Sequence, residues 1–286
     1  MPAITHLWTR LSSEKWEDTW VERLRFAGER SLVIKKFPAS RSIRLDLYTN
    51  DSIAGKLKRA FGGTIRPFDA AGWQPPASRI HDPLRIAGEL RIYRDKKLFL
   101  KERTAGKGKP LLIPSGMAFG TGDHATTARC LQLLVEASAL LRTAGVKWSL
   151  LDLGCGSGIL ALAAELLGAK KILGVDFDEQ CVRISRENAF FNELPHSSFR
   201  KADVLRWQPP GRPGAYDIVA ANLYSTILTA SAPMIVGAIT PGGRLILSGI
   251  LAEEEAVIVK TFTHLGLAHL KTARRGKWAA VMMERR

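Results

Sequence analysis

The spacing of apolar residues over the first 75 positions alternates between helical and extended patterns. Trp16, Trp20 and Leu24 recur every four residues, which is the spacing of one helix face. Asp51 stands where a second helix would begin and can cap it. The pattern predicts the order β-α-β-β-α-β, with elements near 5–8, 14–27, 31–37, 42–48, 51–61 and 64–68. That order is typical of a small α+β ferredoxin-like domain, which we assign to residues 1–75.

From about Ser149 onward, apolar strands alternate with helical patterns. The runs 218–221 and 245–247 are apolar at every position, as expected of parallel strands that helices cover on both faces. Strands are predicted near 150–153, 171–176, 216–222, 244–248, 267–271 and 278–283. This alternation indicates an α/β fold, and we predict a doubly wound, Rossmann-like domain over residues 114–286.

The segment between these two domains is strongly basic. Residues 76–113 contain 10 Lys and Arg against 4 Asp and Glu, within a chain whose formal net charge is +15. Short strands are predicted at 86–93 and 98–101. We interpret the segment as a basic linker. Its charge fits a surface for RNA or for an acidic partner, although a charge run alone is more often a solvated connector.

Composition excludes several classes of protein. No run of 18 apolar residues occurs among the 286, so we expect no membrane span. Cys130, Cys155 and Cys181 lie far apart and are odd in number, which argues against a disulfide framework and favours a reducing compartment such as the cytoplasm. The six histidines lack the spacing of metal ligands, so no metal site is predicted.

A glycine-rich loop follows the first strand of the second domain. It reads Asp152-Leu-Gly154-Cys-Gly156-Ser-Gly158-Ile159, and Ile159 stands where the dinucleotide-binding pattern GxGxxG needs its last glycine. The spacing GxGxG, with an acid two positions before it, resembles motif I of class I S-adenosylmethionine-dependent methyltransferases. Glycines let a ligand approach the backbone closely, and Asp152 can hold its ammonium group. We therefore predict S-adenosylmethionine as the cofactor.

Two further acids follow the next strands. Asp176 ends the strand after the glycine loop, where a carboxylate can accept hydrogen bonds from both ribose hydroxyls. Asp203 follows the predicted third strand, where it can meet the adenine amino group. Cys155 lies inside the glycine loop without an evident base beside it, so we interpret it as a small packed residue rather than a reactive thiol.

Two other segments carry candidate site residues. The loop that precedes the second domain holds Phe119, which can pack against a ligand, and Thr127, which can cap the next helix and contact ligand. Asn222 and Tyr224 follow the fourth strand and are our candidate catalytic residues. Asn222 can accept an N–H of an acceptor amine and orient its lone pair. Tyr224 fits packing and catalysis equally well.

Together these segments resemble one family. FGTGxHxTT, DLGCGSGILALAA, GVDFDEQCV, AANLY and PGGRLILSGIL are similar to the PrmA-type family, and the resemblance covers residues 114–284. The family methylates lysine side chains and the N-terminal amine of large-subunit ribosomal protein L11. The resemblance implies a seven-stranded methyltransferase domain, a substrate-recognition role for residues 1–75, and cofactor contacts at Phe119, Thr127, Gly154, Asp176 and Asn222.

The sequence also departs from the family pattern. Asp123 stands where the family commonly has Thr, and the Trp-rich linker of the family is reduced to Gly72-Trp73-Gln74. Leu223 is not a departure of this kind: it stands where exocyclic-amine and glutamine methyltransferases usually have proline, which argues against those classes. Three alternatives stay open at this point: a methyltransferase for the lysine of another protein, an RNA methyltransferase, and a non-catalytic ribosome-associated binding module.

Overall fold

The computed structural model describes most of the chain, in several ranges. These are residues 5–24, 32–37, 40–69, 83–114, 125–211 and 213–286. Two compact units are present, one that includes the N-terminal 81 residues and one that begins at Asp82 and includes the C-terminal end. Within the described ranges, no helix combines the length and apolar character needed to cross a membrane.

The N-terminal domain has the predicted ferredoxin-like arrangement. Its elements are β1 (His6–Ser13), α1 (Glu17–Leu24), β2 (Leu32–Phe37), β3 (Ser42–Thr49), α2 (Asp51–Phe61) and β4 (Thr64–Pro67). The four strands form an antiparallel sheet in the order β2-β3-β1-β4. Alternate residues of the central strands, such as Trp8 and Leu45, are fully buried and pack with Trp20 and Leu24 of α1 and Leu57 of α2. One face of the sheet is therefore covered by the helices.

The start of α2 differs from the prediction by one residue. Asn50, not Asp51, is the cap, and its Oδ1 accepts a hydrogen bond from the Ile53 N–H at 3.0 Å. The helix ends at Gly62, whose φ is +69°. The indole N–H of Trp8 donates to the Gly62 carbonyl at 2.8 Å, which fixes the end of α2 against the sheet.

The described part of the basic middle segment, from residue 83 onward, is folded, which differs from the predicted linker. It contains β5 (Leu84–Ile86), β6 (Leu90–Tyr93), α3 (Lys96–Glu102) and β7 (Lys109–Leu112), and the strands form a small sheet in the order β5-β6-β7. Ile92 and Leu111 belong to the main core of the second unit. The strand predicted at 98–101 is wrong: the residues are helical, because the Asp95 carboxylate accepts the Leu98 N–H at 2.7 Å and caps α3.

The C-terminal domain confirms the prediction of a doubly wound α/β fold. Its elements are α4 (Ala125–Thr143), β8 (Ser149–Leu153), α5 (Ile159–Leu166), β9 (Lys171–Asp176), α6 (Glu179–Phe191), β10 (Ser197–Lys201), β11 (Tyr216–Asn222), α7 (Ser225–Ala238), β12 (Ile239–Leu251), α8 (Glu255–His264), β13 (Leu267–Arg275) and β14 (Trp278–Arg285). The seven strands follow the order β10-β9-β8-β11-β12-β14-β13. Only β14 runs antiparallel to its neighbours, β12 and β13. The carboxyl ends of β8, β9, β10 and β11 consequently share one edge of the sheet.

Candidate functional site

The glycine loop connects β8 to α5 at the carboxyl edge of the sheet. The N–H groups of Gly154 and Cys155 both donate to the Val175 carbonyl, at 2.8 and 2.9 Å, which holds the loop against β9. Gly154 has φ +73°, and a Cβ there would lie 2.4 Å from Cδ2 of Leu223. Gly158, with φ +79°, precedes the first residue of α5. The loop therefore needs glycine for its conformation and, at Gly154, for space as well.

Asp152 carries an unsatisfied oxygen beneath this loop. The residue is 1% exposed, and its Oδ2 accepts the Ala161 N–H at 3.2 Å. Its Oδ1 is buried and has no hydrogen-bond partner. The pKa of this carboxyl is raised from 3.8 to about 7, mainly by burial; the Ala161 N–H opposes the shift, and the nearby charge of Asp176 adds to it. A buried carboxylate oxygen without a donor is suited to a cationic ligand group.

Asp176 ends β9 directly beside the loop. Its Oδ2 accepts the Gly156 N–H at 2.9 Å, so the carboxylate and the glycine loop form one connected surface. The Asp176 carbonyl accepts the Ala202 N–H at 2.9 Å, which places the end of β10 and the following Asp203 next to it. Asp203 accepts the N–H of Leu205 at 3.1 Å, and its side chain is half exposed.

Sequence reasoning missed two exposed apolar residues at this edge. Phe177 directly follows Asp176 and is 74% exposed, and Leu205 lies two residues after Asp203 and is 53% exposed. A large apolar residue just beyond a strand-end acid is the signal that would have found both. Such surfaces suit the face of a planar, weakly polar ring.

Asn222 and Thr127 meet where β11 ends. The Asn222 amide Nδ2 lies 3.5 Å from the hydroxyl of Thr127, which is 1% exposed. Asn222 Oδ1 is buried and has no hydrogen-bond partner. Thr127 lies within the first turn of α4 rather than capping it, because that helix begins at Ala125. Tyr224 precedes α7, and its ring is about one-third exposed.

The chain around Asn222 is held by the neighbouring strand β12. The Leu223 N–H donates to the Ser248 carbonyl at 3.0 Å. Gly249 has φ +80°, and a Cβ there would lie 2.4 Å from the carbonyl oxygen of Leu223. The Ser225 hydroxyl donates to the carboxylate of Glu254 at 2.6 Å. These contacts fix the direction in which Asn222 leaves the sheet.

The structure thus brings together the predicted residues on β8, β9 and β11. Because Leu153 pairs with Ala221, the glycine loop and Asn222 continue from neighbouring positions on adjacent strands. Phe119, Asp123 and His124 lie outside the described residues. Cys155 is 5% exposed with a pKa raised by burial, which agrees with a packed thiol. Among the described residues, no group of three His, Cys, Asp or Glu side chains is arranged to hold a metal ion.

The site fits the chemical groups of S-adenosylmethionine. The unsatisfied Oδ1 of Asp152 suits an ammonium group, and the Asp176 carboxylate suits a pair of hydroxyls. The glycine loop presents backbone that a side chain would otherwise cover. Exposed Phe177 suits an aromatic base. The residues therefore fit the cofactor that the glycine-loop motif predicts.

Comparisons with known proteins agree with this geometry. Residues 50–286 match the family model described as ribosomal protein L11 methyltransferase (PrmA). The ribosomal protein L11 methyltransferase of Geobacter metallireducens is 39% identical over 77% of this chain and 68% of its own length. That of Pelobacter propionicus is 40% identical over 61% of this chain and 55% of its own length, so the chain spans only about half of this relative.

A solved structure gives the same result. The ribosomal protein L11 methylase from Lactobacillus delbrueckii subsp. bulgaricus matches with a TM-score of 0.61 and 25% identity. The match covers 72% of this chain and 99% of that one.

Proposed function

Because the chain belongs to the ribosomal protein L11 methyltransferase (PrmA) family, we propose that it methylates ribosomal protein L11 with S-adenosylmethionine as methyl donor. The acceptors are lysine side-chain amines and the N-terminal amine, and the reaction takes place in the cytoplasm. One observation in particular supports methyl transfer to an amine. The buried, unpartnered oxygen of Asn222 lies at the end of the strand that neighbours the glycine loop.

Four residues and the backbone of the glycine loop hold the cofactor. Asp152 binds its ammonium group through Oδ1, and Asp176 accepts hydrogen bonds from its ribose hydroxyls. Asp203 accepts from the adenine amino group, and Phe177 packs on the face of the adenine ring. When bound, S-adenosylmethionine supplies a methyl group that its positively charged sulfur already activates. The chain therefore needs no residue to activate the donor.

The acceptor amine has to be neutral to react. A free lysine has a pKa near 10.4, so only about one in a few thousand is neutral at pH 7. A site that excludes water lowers the pKa of a lysine that enters it, and the released proton passes to solvent. Asn222 Oδ1 accepts one N–H of the neutral amine and points its lone pair at the methyl carbon. Bound S-adenosylmethionine would supply the methyl group: the amine nitrogen would bond to the methyl carbon as the carbon–sulfur bond breaks, and the positive charge would pass to the product amine.

Orientation is the main contribution of the protein to this reaction. Holding two reactants in line lowers a barrier by about 7–11 kcal/mol in well-oriented systems. Thr127, 3.5 Å from the Asn222 amide, and the contacts from β12 restrict the rotation of Asn222. Tyr224 stands at the exposed side of the same strand end and contacts the acceptor side chain.

We assign substrate recognition to the N-terminal domain. The face of its sheet opposite the helices exposes Leu11 and Phe37, which are 66% and 42% exposed, beside Arg44 and Arg66. A groove of about 780 Å³ crosses this region. A mixed apolar and basic face of this kind suits a folded protein surface.

The experiment that tests the proposal measures methyl transfer to recombinant L11. Labelled residues are mapped by mass spectrometry, and S-adenosylmethionine affinity is measured separately by calorimetry. We expect Asn222→Ala to lower kcat about 100-fold or more while the cofactor dissociation constant changes much less. Tyr224→Phe is the variant to compare with Asn222→Ala, because it keeps the aromatic ring of the second candidate residue and removes only its hydroxyl.

The same assay separates the alternatives. L11 is presented beside total ribosomal protein and rRNA, with and without nuclease. Label on a different protein would contradict the L11 assignment but not the chemistry. Nuclease-sensitive label would instead support an RNA methyltransferase. Absence of label on every acceptor, with cofactor binding intact, would support a binding module.

A further inference from the structure

A basic helix lies on the surface of the second unit, away from the cofactor site. The helix α3 exposes Lys96, Lys97, Leu100 and Lys101, and Leu100 is 55% exposed. The buried Phe99 on the other side of α3 packs with Tyr93. Three of the ten basic residues of the middle segment are therefore held on the exposed side of a packed helix.

Two phenylalanines at the end of α6 extend this basic face. Phe190 is 81% exposed and Phe191 is 42% exposed, and their ring centroids lie 6.1 Å apart. The Lys96 ammonium lies 4.9 Å from the centroid of the Phe191 ring. We call α3 with Phe190 and Phe191 the α3–α6 surface. It places Lys96 against an aromatic ring that is open to solvent, and Lys97 and Lys101 are exposed on the same short helix.

Contacts from the fold keep this surface in one arrangement. The Asn192 side chain accepts the Leu112 N–H and donates to the Leu112 carbonyl, both at 2.7 Å, which ties the end of α6 to β7. Three carboxylates lie nearby, and each has a partner. Asp95 caps α3 at Leu98, Glu102 accepts the Tyr93 hydroxyl at 3.4 Å, and Glu193 lies 3.8 Å from the guanidinium of Arg103. Among the described residues, Lys97 and Lys101 form no ion pair, so their charges are left for an outside partner.

We propose that the α3–α6 surface binds single-stranded RNA. Lysines at one-turn spacing match a phosphate backbone, and exposed aromatic rings stack on bases that are not paired. An acidic peptide would use the lysines, but it offers no flat ring for Phe190. RNA is the chosen nucleic acid because the family acts on a ribosomal protein, which is found with RNA.

The surface is separate from the methyl-transfer site. Helix α6 begins beside Asp176 at the carboxyl edge of the sheet and runs 13 residues to Phe191, which is about 20 Å of helix. RNA binding there does not require the cofactor site. A variant of the surface should therefore lose RNA affinity and keep methyl transfer to free L11.

The test measures binding of a fluorescent uridine oligomer of about 16 nucleotides by anisotropy, at about 50 to 200 mM salt. The full chain is used throughout. We expect the double variant Lys97→Gln, Lys101→Gln to bind about 10–30-fold more weakly near 0.1 M salt, with a salt slope smaller by about 1.4. Phe190→Ala should weaken binding about fivefold or more. The control Lys260→Gln, Arg275→Gln removes the same charge from α8 and from the end of β13, outside the α3–α6 surface, and should have little effect.

Three results would overturn the proposal. One is an absence of binding by the native chain at the lowest salt. Another is an equal loss in the control and in the surface variant, which would indicate general attraction by the net charge of +15. The third is an acidic peptide that competes as well as RNA and is insensitive to Phe190→Ala, which would indicate a protein partner. L11 methylation, followed in parallel, shows whether each variant is still folded.

Discussion

Two buried aspartates, one in each domain, show how different a structural carboxylate is from one in the cofactor site. Asp46 in β3 is 2% exposed, and Asp152 at the end of β8 is 1% exposed. Asp46 accepts the hydroxyl of Thr9 at 2.8 Å and two guanidinium contacts from Arg44 at 3.0 and 2.9 Å, with the ammonium of Lys35 at 3.8 Å. Asp152 has one backbone donor and one oxygen with none.

Burial alone therefore does not identify a group that binds ligand. A buried charge is stable when its oxygens are satisfied, as they are at Asp46. An oxygen left without a donor costs free energy in the empty protein, and a ligand that brings the donor recovers it. We therefore expect Asp46 to contribute to the stability of the fold and Asp152 to contribute to ligand affinity. Variants of the two residues test this assignment.

The largest effect is expected for Asp152→Asn. The amide keeps the shape and removes the charge that pairs with the cofactor ammonium. Loss of one partner from a buried charged pair costs about 2–5 kcal/mol, so the S-adenosylmethionine dissociation constant should rise about 30-fold or more. The free energy of unfolding of the ligand-free protein should rise at pH 7 and above, because the amide removes a buried charge whose Oδ1 has no partner. Calorimetry and urea unfolding give the two numbers.

For Asp46→Asn we expect the reverse of Asp152→Asn, namely a lower free energy of unfolding and an unchanged cofactor dissociation constant. Removing this charge leaves the guanidinium of Arg44 and the ammonium of Lys35 without their partner. Because these side chains are 38% and 54% exposed, water solvates part of the released charge, and the expected loss is about 1–3 kcal/mol of stability. Cofactor affinity should not change. A loss of affinity in Asp46→Asn that matches the loss in Asp152→Asn would remove the distinction between the two carboxylates.

The sequence predicted one of these aspartates and not the other, for a physical reason. Asp152 belongs to a local motif, since the glycines that surround it are its neighbours in the chain. Asp46 occupies an ordinary polar position in a strand, and its partner Thr9 is 37 residues away. Burial created by distant partners leaves no local pattern. The same reason explains why Asn222 was found at a strand end while its contact with Thr127 was not.

The basic middle segment shows a related limit. The sequence shows the charge of this segment directly, but it does not determine the structure. Leu98–Lys101 fits a short strand as well as a helical turn. The cap at Asp95 and the packing of Phe99 stabilise the helical conformation. The alternation of strands and helices after Ser149, in contrast, gave the architecture of the whole second domain, because each long apolar strand is a strong signal by itself.

A smaller effect is expected from pH. The pKa of Asp152 is raised from 3.8 to about 7, so its protonated form stabilises the ligand-free fold. That contribution is complete below about pH 3.8 and is lost as pH rises through about 7. Cofactor affinity should instead rise with pH, because the ammonium group of the cofactor pairs with the ionised carboxylate. We expect about tenfold weaker binding for each pH unit below about 7.

The control for this prediction is Asp152→Asn, which cannot titrate at this position. Its affinity should be flat between pH 5.5 and pH 7, apart from changes shared with the native chain. A native profile that is equally flat would mean that the carboxylate is already ionised in the empty site, and that its raised pKa does not govern binding.

The smallest effect is expected for a substitution at Ser225. This residue contacts a third carboxylate, that of Glu254. Glu254 lies close to the site but has partners, the Ser225 hydroxyl at 2.6 Å and the Leu251 N–H at 3.3 Å. Because these contacts join the start of α7 to the segment that follows β12, we assign Glu254 to positioning the chain after Asn222. Ser225→Ala should therefore lower kcat for L11 methylation about fivefold, the effect of about 1 kcal/mol, and leave cofactor affinity unchanged.

Ser225→Thr keeps the hydroxyl and should restore kcat, and Thr261→Ala removes a comparable exposed hydroxyl from α8 as a control. Equal losses of kcat and of cofactor affinity in Ser225→Ala would place Glu254 with Asp152. Glu254 would then govern cofactor binding as Asp152 does, and its assignment to positioning the chain after Asn222 would be wrong.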